Sequence, residues 1–433
     1  MLEDLRNMKK IINPNRKDWL KLTQRPTVEK GELNTLVNQV FTDVKKDGDK
    51  ALKKYSLLFD KVDLRSLVVT KKIISDASKK IPKELKAAIQ LAKSNIEKFH
   101  AAQIETPGVV ETTKGVHCWR ESRAIEKVGV YIPGGSAPLF STVLMLGIPA
   151  KLAGCKEIVL CTPPDKKGEI DPAILYTANL VGITSVYSIG GIQAIAAMAF
   201  GTQTVPKADK IFGPGNQYVT AAKQAAQQSG IAIDMPAGPS EVLIIADKSC
   251  NPSFVAADLL SQAEHGADSQ VILLSDDEKV LDKITVELKN QLKALPRKEV
   301  AEKALKNSKA IVLKSINECT EFSNLYAPEH LILATVKAKK MIPEITNAGS
   351  VFLGNYSCES AGDYASGTNH TLPTNGYARS YSGVSLDSFV KKITFQELSR
   401  EGIQNIGPAI ELMAEAEQLF AHKNAVTLRL KSL

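Results

Sequence analysis

Histidines with polar neighbours are the residues of this chain best suited to chemistry. The sequence contains His100, His117, His265, His330, His370 and His422. Gln262 and His265 are three residues apart near the end of a predicted helix, which places them one turn apart on the same face. An imidazole combined with oxygen ligands suits zinc or a similar divalent cation. Taken alone, the pair is also consistent with an ordinary polar helix end.

A second candidate is the adjacent acid and imidazole of Glu329 and His330, directly after Pro328. A carboxylate beside an imidazole can accept and donate protons near neutral pH. Adjacent side chains of an extended segment point to opposite sides, so these two could serve different steps of a reaction. The alternative is a hydrogen-bonded histidine at the start of a strand.

Two further acid–histidine pairs lie towards the C-terminus. Asp363 and His370 fall in a glycine-rich segment, residues 359–370, which we predict to be a loop that ligates a metal or holds a substrate. Glu417 and His422 fall on or just after a predicted C-terminal helix. An ordinary surface loop and an exposed helix face are the respective alternatives.

Glycine-rich turns are the third chemical feature. The dinucleotide fingerprint G-x-G-x-x-G is absent, but glycine turns at 133–135, 190–191 and 213–215 each follow a predicted strand. Such turns let backbone N–H groups approach a phosphate. The signal is not specific, because a tight turn between a strand and a helix needs glycine in any case.

Alternating strands and helices must position these residues. The pattern of strand, turn and helix repeats between residues 127 and 228, and a second such stretch begins near residue 241. This alternation predicts an α/β fold with parallel sheets and right-handed crossovers. We predict helices over the first hundred residues, a long loop at 355–385, and Pro408 at the first position of the last helix.

Composition argues against several classes of protein. The 433 residues are 44% hydrophobic and 24% charged, which indicates a globular chain of two or three domains. Apolar runs are too short for a membrane span and residues 1–14 do not form a signal peptide, so we expect a cytoplasmic protein. The net charge of +8 is concentrated in residues 1–120, among scattered acids and without interleaved aromatic residues. This arrangement favours solvated helices over a nucleic-acid site.

Six long segments together resemble the histidinol dehydrogenase family over nearly the whole chain. They are residues 128–155, 211–223, 234–243, 258–268, 324–331 and 347–385, the last including GDYASGTNHTLPTNGYARSYSG. The C-terminal match is weaker and rests mainly on the helix through Glu417 and His422. The resemblance implies an enzyme that oxidises L-histidinol through its aldehyde to L-histidine. Its implied cofactors are one zinc ion per subunit and two NAD molecules per turnover.

The resemblance also implies a role for individual residues. The implied zinc ligands are Gln262, His265, Asp363 and His422. The implied catalytic proton-transfer pair is Glu329 and His330. The implied substrate contacts are Ser240, His370 and Glu417, together with His330 and the zinc ligands. The implied NAD contacts are Tyr131, Gln193 and Asn216.

The implied architecture is two related, incomplete Rossmann-like domains with parallel sheets, plus small helical N- and C-terminal segments. The predicted boundaries are 1–26 for the N-terminal helical segment, 27–130 with 240–380 for the domain of the metal and catalytic residues, 131–239 for the NAD domain, and 381–433 for a segment that crosses to the partner. The expected assembly is a homodimer with shared active sites, in which Glu417 and His422 come from the partner chain.

In the implied mechanism, His330 acts as the base for both hydride transfers, Glu329 activates water, and zinc positions the substrate. A rival mechanism captures the aldehyde with a thiol of Cys118, Cys155 or Cys358, although none has a basic neighbour in sequence that would obviously lower its pKa. The alternatives from other classes are a zinc hydrolase and a non-catalytic nucleotide- or nucleic-acid-binding protein.

Overall fold

The computed structural model describes residues 8–26, 31–134, 138–236 and 238–433. In these ranges the strands are β1 Lys9–Ile12, β2 Val110–Thr113, β3 Val116–Ala124, β4 Lys127–Tyr131, β5 Glu157–Thr162, β6 Ser185–Ser188, β7 Lys210–Phe212, β8 Ala232–Ile233, β9 Glu241–Ala246, β10 Gln270–Ser275, β11 Lys309–Val312, β12 His330–Ala334, β13 Ser350–Leu353 and β14 Val390–Leu398. The helices are α1 Trp19–Leu22, α2 Gly31–Asp47, α3 Asp49–Tyr55, α4 Lys71–Asp76, α5 Lys83–Ala101, α6 Phe140–Ala153, α7 Pro172–Leu180, α8 Gly191–Phe200, α9 Gln217–Gln228, α10 Pro252–Ala263, α11 Glu278–Ala294, α12 Lys298–Lys306, α13 Ile316–Tyr326, α14 Ala338–Met341, α15 Glu359–Tyr364, α16 Arg400–Ala416 and α17 Phe420–Lys431. Among the helices of this described part, none combines the length and the apolar character that a membrane crossing requires.

The middle of the chain forms a parallel sheet with the order β6-β5-β4-β7-β8 in the described residues. Helices α6, α7, α8 and α9 follow its strands in turn, as the sequence pattern predicts. The strands are apolar on both faces because helices cover both sides of the sheet. The carboxyl ends of the neighbouring strands β4 and β7 therefore lie side by side at one edge of the sheet.

A second parallel sheet has the order β1-β11-β10-β9-β12-β13 within the described ranges. Its central strand β9 is buried along its whole length. His330 opens strand β12 and pairs with Val242 of β9 on one side and Ser350 of β13 on the other. Glu329 therefore lies immediately before the amino end of this sheet, beside the start of β9.

The two parallel sheets and their covering helices confirm the predicted α/β fold class. The helices of residues 31–101 pack on the first sheet: Val40 and Leu52 share a core with Tyr131, and Ile96 packs with Val128. We predicted that residues 27–130 would join 240–380. The packing differs because the apolar face of α2 lies against α8, whose small alanines allow close approach.

Three local predictions are wrong. The described part of the predicted helical segment 1–26 contains β1, which adds to the free edge of β11 in parallel register. Asp363 lies in the short helix α15 and not in a loop. Pro408 lies inside α16 and not at its start. Residues 1–7 of the first predicted segment, and Gly135 of the first glycine turn, lie outside the described residues.

A small antiparallel sheet of order β14-β3-β2 leads to the C-terminus. Strand β14 pairs along its full length with β3. Helices α16 and α17 follow as a hairpin, in which Gly407 allows Leu430 to pack closely. The C-terminal segment is thus attached to the rest of the chain mainly through one strand pair.

Candidate active site

A cavity of about 280 Å³ lies between the carboxyl ends of the first sheet and the amino ends of the second. The sequence-predicted residues that line it are Asn216, Ser240, Gln262, His265, Glu329, His330, Asp363 and His370. Asn216 follows β7, whereas Ser240 and Glu329 directly precede β9 and β12. The usual rule, that ligands bind at carboxyl ends of parallel strands, therefore describes only one wall of this cavity.

The backbone of Glu241 holds the side chains of Glu329 and His330. The Glu241 N–H donates to Glu329 Oε2 at 2.8 Å, and His330 Nδ1 lies 3.1 Å from the Glu241 carbonyl oxygen. Because a carbonyl only accepts, the proton of a neutral His330 lies on Nδ1, which leaves Nε2 free to accept. Nε2 is buried without a hydrogen-bond partner in the described structure, and the His330 residue lines the cavity.

Electrostatics of this pair follow from burial among carboxylates. Burial raises the pKa of Glu329 to about 8. Burial alone would lower the pKa of His330, but the surrounding charges of Glu359, Glu329 and Asp363 outweigh it and raise this pKa to about 10. The nearest contacts are 3.7 Å from His330 Nδ1 to Glu329 Oε2 and 3.7 Å from Nε2 to Asp363 Oδ1. Such a concentration of buried negative charge requires compensation by a cation or by protons.

Three side chains form a cluster that could hold that cation. One ligand atom from each of His265, Glu359 and Asp363 lies within 4.8 Å of the others. Helix α10 brings His265 to the cavity at its C-terminal end, and α15 presents Glu359 and Asp363 four residues apart on one face. Carboxylate oxygens with one imidazole are a donor set that suits a divalent cation such as zinc.

Gln262 adds a fourth donor beside this cluster. With its N–H₂ turned towards Glu359, the amide donates to that carboxylate, and its oxygen accepts from Glu241 N at 2.9 Å. With its oxygen turned towards Glu359, two acceptors face each other, an arrangement that only a cation between them stabilises. The residues present therefore fit a metal ion, with Gln262 able to act as a ligand or as a hydrogen-bond donor.

His370 also lines this cavity, and its hydrogen-bond partners define its tautomer. Nδ1 is 2.9 Å from the carbonyl oxygen of Asp363, so it carries the proton, and Nε2 is 3.1 Å from the Thr142 hydroxyl, which donates to it. Burial lowers the pKa of His370 and so favours this neutral form. Thr142 reaches the ring from the first turn of α6.

A second cavity, of about 810 Å³, adjoins the first at Asn216. Tyr131 lines it, and its hydroxyl accepts from Gly191 N at the N-terminus of α8. Asn216 caps α9 by accepting from Tyr218 N and Val219 N. Two helix N-termini thus meet at this cavity, and this arrangement favours the binding of phosphate groups.

Gln193 reaches the same region through Asp60. Gln193 Nε2 donates to Asp60 Oδ2 at 3.3 Å, and Asp60 lines the second cavity. Burial raises the pKa of Asp60 to about 6. Its carboxylate is an acceptor for hydroxyl groups of a sugar, in the way that acidic residues bind the ribose of dinucleotides in related folds.

Three predicted site residues do not line either cavity: Glu417, His422 and Gln193, the last of which contacts Asp60 on the wall of the second cavity. Glu417 ends α16 and His422 lies in the first turn of α17, and both are exposed on this chain. Neither lines the cavities described above. Among the residues that line or support the site and were not predicted as site residues are Asp60, Thr142, Glu241 and Glu359. Only Glu359 had a sequence signal, its i, i+4 spacing to Asp363.

Comparison with known proteins shows the family to which this chain belongs. A model of the histidinol dehydrogenase family matches residues 23–430. The chain belongs to the histidinol dehydrogenase family. It is 58% identical over 426 residues to a histidinol dehydrogenase of Bacteroides fragilis, with coverage of 98% of this chain and 100% of that protein. It is 54% identical over 415 residues to one of Escherichia coli, with 95% of each chain covered.

A solved structure supports the same family. The crystal structure of histidinol dehydrogenase from Elizabethkingia anophelis is similar with a TM-score of 0.96 and 66% sequence identity, covering 98% of both chains. The predicted family resemblance is therefore confirmed. Membership makes the chain an oxidoreductase by family.

Proposed function

We propose that this protein catalyses the NAD-dependent oxidation of L-histidinol, through L-histidinaldehyde, to L-histidine as the last steps of histidine biosynthesis. The observation that carries the proposal is the juxtaposition of Glu329 and His330 with the donor cluster of His265 and Asp363 in one cavity. A cytoplasmic location remains part of this prediction. The direct test is appearance of reduced nicotinamide when purified protein is given histidinol and NAD, whereas a zinc hydrolase would leave NAD unchanged.

The proposed metal is one zinc ion per subunit, held by Gln262, His265, Asp363 and the partner chain's copy of His422. When bound, zinc would supply a template that positions the substrate. The fit rests on the donor cluster and on the buried negative charge that surrounds it. Substrate contacts from Ser240 and His370, which line the same cavity, complete this proposal.

The proposed hydride acceptor is NAD, of which a separate molecule would accept one hydride in each of the two oxidation steps. Tyr131 and Asn216 line the second cavity, and Gln193 donates to Asp60 on its wall. Asn216 belongs to both cavities, so a dinucleotide lying across it could reach both the helix N-termini and the catalytic pair. This continuity is what supports the three proposed NAD contacts.

His330 is the proposed base because its geometry leaves one nitrogen available. Nδ1 faces the Glu241 carbonyl, so Nε2 can take the alcohol proton as hydride leaves the carbon. A bound cation would compensate Asp363 and Glu359, two of the three carboxylates that raise the pKa of His330, and would so favour the neutral base. Glu329 would then deprotonate the water that adds to the aldehyde, and His330 would act again in the second step.

The proposed homodimer accounts for Glu417 and His422. Large apolar side chains are exposed on the C-terminal hairpin, among them Leu412 at 70%, Met413 at 66% and Phe420 at 61%. A surface of this kind favours burial against a second copy. Because neither Glu417 nor His422 lines the cavities of its own chain, each would serve the site of the partner.

Serine replacement of each candidate cysteine should leave both oxidation steps largely intact. Burial raises the pKa of Cys155 to about 11, so its thiolate is scarce at neutral pH. Cys118 and Cys358 are half-buried, and none of the three is among the described residues that line either cavity. The measurement is the number of NADH formed per histidinol in each variant. A well-folded variant that stopped at the aldehyde would establish thiol capture instead.

A further inference from the structure

Arg25, a largely buried residue of the N-terminal segment, contacts the residue that holds the catalytic pair. The Arg25 side chain is 14% exposed and binds the Glu241 carboxylate with two contacts, Nε to Oε1 at 2.7 Å and Nη2 to Oε2 at 2.9 Å. Its guanidinium also lies 3.8 Å from the ring centroid of the fully buried Tyr326. Only arginine offers both a planar fork and a stacking face.

The partner of Arg25 is the residue whose backbone holds Glu329 and His330. Glu241 donates its N–H to Glu329 Oε2 and accepts at its carbonyl from His330 Nδ1. The Glu241 carboxylate is 2% exposed, and besides Arg25 it accepts from Asn375 N at 2.9 Å. The side chain of Glu241 is thus fixed by Arg25, while its backbone fixes the two proton-transfer groups.

Arg25 also binds the backbone of the segment that precedes the catalytic pair in sequence. Nη2 donates to the carbonyl oxygen of Tyr326 at 2.8 Å and to that of Ala327 at 3.3 Å. Ala327 has a φ of +53°, a left-handed conformation that costs energy for a residue other than glycine. This turn leads through Pro328 directly into Glu329, so the guanidinium bonds help maintain the backbone that delivers the pair.

We propose that Arg25 is a positioning residue for the Glu329–His330 pair, joining Glu241 and the 326–327 turn so that both proton-transfer groups stay aligned. The inference rests on the proposed function, because it concerns the same pair. Arg25 touches neither cavity, so its loss should affect the rate of the reaction far more than the binding of substrate. Loss of the guanidinium would also leave the buried Glu241 carboxylate without its counter-charge.

The test compares Arg25→Lys and Arg25→Ala with Arg16→Ala as a matched control. Arg16 lies in the same segment, pairs with Glu321 and stacks 5.1 Å from Trp19, but its side chain is 64% exposed. We expect both Arg25 variants to lose about tenfold to 100-fold in kcat with KM for histidinol within about twofold, since small misplacements of reacting groups have effects of this size. Zinc content should match the wild type, and Arg16→Ala should behave as wild type.

Chemical rescue separates positioning from general stability. Guanidinium added to Arg25→Ala should restore part of kcat, whereas ethylammonium at the same concentration should not, because the fork geometry is required. If Arg25→Ala does not fold, Arg25→Lys decides the question through its kcat. A wild-type kcat in Arg25→Lys, or a loss in Arg25→Ala that follows zinc content and is insensitive to guanidinium, would overturn the inference.

Two further variants distinguish failure of the positioning role of Arg25 from failure of the proposed function. Glu329→Gln and His330→Asn are assayed under the same conditions. Full activity in those two would overturn the assigned catalytic pair, whatever the Arg25 variants do. Strong impairment of those two together with an unaffected Arg25→Lys would overturn the positioning role alone.

Discussion

Glu329→Gln and His330→Asn are each expected to lower kcat by about 10²- to 10⁴-fold, the range typical of a lost general acid or base. Glu329→Gln preserves the shape of the side chain, and His330→Asn replaces the ring with a smaller polar group, but both remove the ability to take a proton. Neither residue is among the proposed zinc ligands, so the zinc content of both variants should equal that of the wild type. The measurement is kcat for histidinol oxidation beside zinc content determined on the same preparations.

Surface residues of the same types provide the controls. Glu321 is exposed and His117 is partly exposed, and both lie outside the two cavities, so His117→Asn and Glu321→Gln should retain the wild-type rate. Metal loss in Glu329→Gln or His330→Asn would show that these residues act as ligands. A normal rate in either would remove it from the proton-transfer pair.

Mixing two inactive variants, His265→Asn and His422→Asn, is expected to restore activity. Each variant alone should be inactive, because every site lacks one metal ligand. After dissociation and random reassociation, half of the dimers are mixed, and each mixed dimer contains one site with both histidines intact. Recovery should therefore approach about a quarter of the wild-type activity, as expected for a two-fold symmetric dimer.

A site contained in one chain predicts the opposite result. In that case each chain of a mixed dimer would still lack one histidine, and no activity would return on mixing. Mixing His265→Asn with Asp363→Asn is the matched control, since both residues lie in the same chain's cluster. Mixed dimers of this pair would have no intact site under either assembly, so recovery there would contradict the assignment of both ligands to one chain.

The sequence pattern predicted those features of the fold and the site that depend on residues close together in the chain. Alternating apolar strands, glycine turns and helices identified both parallel sheets, because the apolar residues of each strand indicate by themselves that the strand is buried. The spacing of Gln262 and His265 predicted both on one helical turn. In the structure Gln262 lies in α10 and His265 two residues after its end, and both line one cavity with Glu329, His330 and Asp363. The roles of these residues stay predictions until the variants are measured.

Features that depend on distant partners could not be predicted in the same way. Strand β1 is only four residues long and forms because β11, about three hundred residues later, offers a free edge. Arg25 carries no local signal, since its partners Glu241 and Tyr326 are remote in sequence. Pro408 marks a helix start by local preference, but the surrounding residues of α16 continue the helix through it.

The most direct test of the account uses zinc-loaded protein and histidinol carrying two deuterium atoms on its alcohol carbon. We predict that each molecule yields two deuterated NADH and histidine without deuterium, and that removal of the metal abolishes both transfers until zinc is restored. A single deuterated NADH per substrate, or turnover that continues undiminished without any divalent cation, would contradict the claim that one metal-held substrate loses two hydrides to the same catalytic pair.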